Sequence, residues 1–100
     1  MREIDKHIDR ISNLCKSNGV SSLFAFGSIL KDSLRPDSDI DMVVALEDQD
    51  PLTYSDHYFN LKYGLEELFN RNIDLLEEKA IKNPYLRKEI ENKKVLIYAK

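Results

Sequence analysis

Apolar residues recur at Ile4, Ile8, Ile11, Leu14 and Cys15, largely in steps of three and four that gather on one face of a helix. The spacing predicts a helix over residues 2–17, stopped at Asn18-Gly19, where glycine tolerates a left-handed cap. Val20 to Phe26 reads as a strand, with Leu23, Phe24 and Phe26 as its apolar content. Gly27-Ser28 breaks that strand. Residues 28–32 suit a short helical turn, and Arg35-Pro36-Asp37 is turn chemistry. Ile40 to Leu46 is a second strand, whose unbroken apolar run from Met42 suits burial on both faces.

Glu47 to Pro51 reads as an acidic loop. Thr53 and Asp56 then resemble a capping box before a long helix over residues 54–70, with Tyr58, Leu61, Leu65, Leu68 and Phe69 on its inner side. Asn72 to Leu76 is a short third strand. Asn83-Pro84 opens a last helix with proline at the first helical position. Val95 to Tyr98 is a terminal strand or an extended tail. Strands separated by helices predict an α/β (α+β) fold, a small mixed sheet flanked by helices.

Length and charge narrow this picture. The 100 residues predict a single domain over 1–100, with one core and one site. A large acceptor molecule would have to bind on the open surface or arrive on another protein. Net charge is −3 and the 15 basic residues are scattered, with no run longer than Lys93-Lys94, which argues against nucleic-acid binding by this domain alone. The single cysteine, Cys15, has no internal disulfide partner and continues the apolar stripe of the first helix. With no membrane-length apolar run and no signal-peptide stretch, the expected location is the cytoplasm.

The candidate chemistry lies in the polar interruptions. Asp39 and Asp41 stand two apart at the start of a strand, so both point to one face, roughly 6–7 Å apart along it. Two carboxylates this close repel, and a shared proton or a cation relieves them. Mg²⁺ prefers oxygen ligands and takes one or two carboxylates together with substrate phosphates. Asp74 lies inside the apolar strand Ile73-Asp74-Leu75 and is the natural third ligand. Gly27 allows a sharp turn or a close ligand approach, Ser28 offers a hydroxyl and a backbone N–H to phosphate, and Lys31 lies one turn on. Phosphate contacts beside a metal site are what nucleotidyl transfer needs.

The stretch Phe26 to Asp41, with Gly27-Ser28, ten residues, then Asp39-Ile40-Asp41, resembles the signature of the minimal nucleotidyltransferase (MNT) group of the DNA polymerase β-like superfamily. Pro36-Asp37-Ser38 before the pair also looks like the family. The resemblance implies that Gly27 and Ser28 hold the nucleotide phosphates, with Lys31 and Ser38 beside the nucleotide. It implies that Asp39 and Asp41 ligate two Mg²⁺ ions, and that Asp74 completes one metal site and helps deprotonate an acceptor hydroxyl. ATP is the implied donor. Where the family often has Ala-Arg-Gly, this chain has Leu30, Lys31 and Asp32, so one charge is kept without arginine's planar fork and a carboxylate is added near the phosphates.

Stand-alone MNT proteins of this size are often antitoxins paired with HEPN-domain ribonucleases, and some move AMP from ATP onto a tyrosine of that partner. The resemblance therefore implies a HEPN-type protein partner. The alternative is a non-catalytic antitoxin that masks its partner sterically. Transfer to RNA or to a small molecule is a weaker reading, since the chain has no second domain to hold such an acceptor. His7 and His57 read as isolated surface residues. The tyrosines read as core and interface amphiphiles, and Glu66-Glu67 and Glu77-Glu78 as solvated charges.

Overall fold

The computed structural model describes residues 2–27, 39–48 and 50–100. The elements run α1 (Arg2–Lys6), α2 (Ile8–Ser17), β1 (Val20–Phe26), β2 (Ile40–Leu46), α3 (Pro51–Phe69), β3 (Ile73–Glu77), a 3-10 turn (Glu78–Ala80), α4 (Pro84–Lys93) and β4 (Val95–Ala99). They form one four-stranded sheet of order β3-β2-β1-β4. β1 lies antiparallel to β2 and to β4, while β2 and β3 are parallel, so the sheet is mixed as expected. The last segment is a strand, not a tail. The turn expected over residues 28–32 and the loop after it fall outside the described residues.

The first helix is two. His7 sits at φ −113 and ψ 13, outside helical geometry, and separates α1 from α2. Its ring meets Phe69 edge-on, with centroids 5.4 Å apart. The break turns Ile8 outward, to 38% exposure, although the spacing put it on the inner face; Ile4, Ile11 and Cys15 are buried. Burial pushes the Cys15 thiol up to about 12, so it behaves as a small hydrophobe. Gly19 ends the helix with φ +66, the left-handed stop read from the sequence.

α3 starts earlier than the capping-box reading placed it. Asp50, not Thr53, is the N-cap: its carboxylate accepts from the Thr53 N–H at 3.0 Å, and Pro51 fills the first turn. α4 begins as read, with Asn83 accepting from the N–H groups of Tyr85 and Leu86. The core lies between one face of the sheet and the helices. Leu23, Ala25, Ile40, Met42, Val44, Ile73 and Leu75 meet Ile11, Cys15, Leu61, Leu65 and Phe69 there. α2 and α3 approach closely at Gly64, where an added Cβ would stand 2.7 Å from Leu14 Cδ2.

α3 also closes the open edge of β3. In a parallel strand alternate residues turn their N–H and C=O to the same side. Asn72 O faces β2, where it accepts from Ile40 N at 3.1 Å, so the groups of Ile73 and Leu75 face outward. Glu66 accepts from the Ile73 N–H at 3.1 Å, and the Tyr58 hydroxyl donates to the Leu75 carbonyl at 2.5 Å. Glu66 is thus a structural cap, not a solvated charge. Burial, followed by the charge of Glu77, raises the Tyr58 pKa and keeps its hydroxyl a donor. Tyr58→Phe is expected to cost about 1 kcal/mol in urea unfolding, because the Leu75 carbonyl loses its partner; an unchanged midpoint would show that water replaces the hydroxyl there.

Candidate active site

Gly27, Asp41 and Asp74 come from three elements and meet at one end of the sheet. Register does this. Phe26 stands opposite Asp41 in the β1–β2 ladder, and Asp41 stands opposite Asp74 in the β2–β3 ladder. Ile40 and Met42 flank Asp41 and are buried on the helix side, as Ile73 and Leu75 are around Asp74. Alternation therefore sends both carboxylates to the face away from α2 and α3. That face carries Phe24, Phe26, Val43 and Leu76 beside them.

The two carboxyls interact directly. Burial raises the Asp41 pKa first, then the charges of Asp74 and Asp39, and then a side-chain hydrogen bond with Asp74. Carboxylates crowded in this way are relieved by a proton or by a divalent cation. The donor set is thus all oxygen, anionic and crowded, which fits Mg²⁺. Asp39 is exposed just before β2, and its charge is felt at Asp41. Among the described residues no three Asp, Glu, His or Cys side chains converge on one point.

Gly27 closes the site from the β1 side. Its φ is +85, and an added Cβ would lie 2.8 Å from Asp41 Oδ2. The glycine read as a turn residue is therefore also the wall against which the Asp41 carboxylate rests. Ser28, Lys31 and Ser38 lie outside the described residues.

Side chains read as bland carry more structure than expected, but away from this end. His57 is half-buried and its Nδ1 bonds Asp48 Oδ2 at 2.7 Å, both beside Gly19 at the opposite end of β1. Neither residue showed this in sequence, because they are nine positions apart across a loop and a helix start. Glu47 pairs with Lys100, and Glu78 pairs with Arg87. Burial, followed by the neighbouring Glu77 carboxylate, raises the Tyr54 pKa, while Lys79 Nζ sits 3.8 Å from its ring centroid. Tyr58 and Tyr98 pack against the core. Among the described residues, no helix is long and apolar enough to cross a membrane.

Comparison with known proteins gives the family of the chain. The family described as Polymerase beta, Nucleotidyltransferase matches residues 9–100. Two proteins of Methanocaldococcus jannaschii, named as candidate protein adenylyltransferases, are similar. One is 33% identical over 72 residues, covering 72% of this chain and 71% of the relative. The other is 38% identical over 73 residues, covering 72% and 70%. Among solved structures, a candidate minimal nucleotidyltransferase superposes with a TM-score of 0.74 at 27% identity, covering 91% of this chain and 89% of its own. The complex of a tri-AMPylated Shewanella oneidensis HEPN toxin with its MNT antitoxin gives a TM-score of 0.66 at 18% identity, over 97% of this chain and 73% of the matched one. A toxin–antitoxin structure with AMP-PNP gives 0.70 at 19% identity, over 93% and 73%. These last two share the fold. By the family match over nearly its whole length, the chain belongs to the polymerase beta nucleotidyltransferase family, and it is an enzyme of the minimal nucleotidyltransferase type.

Proposed function

We propose that this protein, as one domain over residues 1–100 acting in the cytoplasm, moves AMP from ATP onto a hydroxyl of a partner protein, a HEPN-type toxin. The observation that carries the reading is the Asp41–Asp74 carboxyl pair, set opposite one another in a parallel ladder and walled by Gly27. The similar proteins named as candidate protein adenylyltransferases support a protein acceptor. The toxin–antitoxin complexes of the same fold support the HEPN partner.

In this reading Asp39, Asp41 and Asp74 hold two Mg²⁺ ions, with Asp39 turning inward to join the other two. The ions supply charge neutralisation for the attacking and leaving oxygens of an in-line displacement. Gly27 and Ser28 hold the phosphates with backbone N–H groups and a hydroxyl, and Lys31 and Ser38 lie beside the nucleotide. The acceptor oxygen bonds to the α-phosphorus as the bond to the β-phosphate oxygen breaks. Pyrophosphate leaves, and Asp74 takes the hydroxyl proton.

Protein, HEPN-type partner, Mg²⁺ and ATP labelled at the α-phosphate are expected to give labelled partner, while label at the γ-phosphate stays in pyrophosphate. Label transfer that survives Asp39→Asn with Asp41→Asn would place the chemistry elsewhere. A double variant that still neutralises the toxin as well as wild type would show that binding alone suffices.

A further inference from the structure

The sheet that carries the active site does not stop at β1. In the β1–β4 ladder Phe24 faces Leu96 and Ala25 faces Val95, and Lys94 immediately precedes β4 at the end of the sheet that carries Phe26. Phe26, Asp41 and Asp74 form one line across that end, and Lys94 enters the sheet beside it. Strand spacing of about 4.8 Å puts β4 roughly 10 Å from β2, with β1 between them.

Lys94 also points to the same side. Its Nζ lies 4.2 Å from the centroid of Phe24, a ring on the Asp41 face of β1. Its side chain is only 20% exposed and pairs with Glu91 at 3.0 Å, the Glu91 side chain being 50% exposed. Lys93, the residue just before it, is 65% exposed by contrast. An ion pair with a half-exposed carboxylate contributes little. The Phe24 ring covers the ammonium and holds it on the face that carries the carboxylate pair. A compact cation on a flexible stem is a good phosphate ligand.

We propose that Lys94 is a nucleotide-binding residue whose ammonium takes the β- and γ-phosphates of the donor triphosphate, across the Gly27 turn from Asp41 and Asp74. The turn then grips the phosphate chain between a carboxylate side and a lysine side. On donor binding the ammonium leaves the Glu91 carboxylate and the Phe24 ring for the phosphates. The inference rests on the nucleotidyltransferase reading of the Gly27, Asp41 and Asp74 site.

Calorimetric titration of the full chain with MgATP and with AMP tests it. Lys94→Gln is expected to weaken MgATP binding about ten- to a hundredfold. AMP, which lacks the outer phosphates, should bind as it does to wild type, and Lys94→Arg should retain most of the MgATP affinity. Unchanged MgATP binding by Lys94→Gln overturns the assignment while leaving the site intact. An equal loss of MgATP and AMP overturns it too, since that pattern belongs to a damaged fold. If wild type binds neither ligand, the reading of the site falls and Lys94 falls with it.

Discussion

Asp41→Asn is expected to abolish nucleotidyl transfer and, without divalent cations, to make the protein more stable. The two effects share a cause. Burial and the neighbouring carboxylates of Asp74 and Asp39 raise the Asp41 pKa, so the folded chain holds that proton more tightly than the unfolded chain does. Ionising Asp41 therefore lowers stability as pH rises from the unfolded value of about 3.9 through the raised one. Asparagine removes the charge and can still hydrogen-bond. In EDTA at pH 7 the variant should gain about 0.5–1 kcal/mol, solvent screening at this half-exposed site keeping it small, and its melting temperature should rise by several degrees. The gain should vanish as pH falls below about 3.9, where the wild-type carboxyl is also protonated. Mg²⁺ should raise the wild-type melting temperature and leave the variant unmoved. Transfer should fall at least about a thousandfold, because a metal site contributes several kcal/mol to the barrier. A variant less stable than wild type in EDTA would contradict the charge-crowding account.

Gly27→Ala should damage the same site from the other side. The backbone there has φ +85, where a non-glycine residue costs about 1–2 kcal/mol. That predicts a fall of roughly 4–16 °C in melting temperature. The new methyl would also stand 2.8 Å from Asp41 Oδ2, so the carboxylate must move off its wall. A displacement near 1 Å in a positioned group is enough for about a hundredfold loss of rate. Transfer should drop by at least that factor even at temperatures where the variant is fully folded. Near-normal activity in the folded variant would mean that the Asp41 carboxylate is not held by this wall.

Much of this arrangement was legible in the sequence. β1, β2 and β3 are short apolar runs bounded by glycine, proline and polar residues, and they fall within a residue of where the pattern put them. The carboxylates were legible because each interrupts an apolar strand without a local reason. What stayed hidden depends on three-dimensional partners. The break at His7 is invisible because Ile4 and Ile8 keep helical spacing through it, and the Phe69 ring it meets lies over sixty positions away. The start of α3 was misplaced because two overlapping caps compete, and Asp50 followed by Pro51 outranks Thr53. The roles of Glu66 and His57 follow from a strand edge and a loop that no local pattern reveals. The wall function of Gly27 needs the Asp41 side chain beside it, which only the β1–β2 register supplies.

The parallel pairing of Asp41 with Asp74 has a practical consequence. If β3 slid one residue along β2, Asp74 would turn into the core, and Ile73 and Leu75 would turn to water. Exposing those two side chains costs about 1.5–3 kcal/mol each, and burying a lone carboxylate costs several more. The sum is comparable with the whole stability of a small domain, about 5–15 kcal/mol. A slipped yet folded molecule is therefore not a significant population. Register error is thus not a source of folded but inactive protein, and the site is assembled whenever the sheet is.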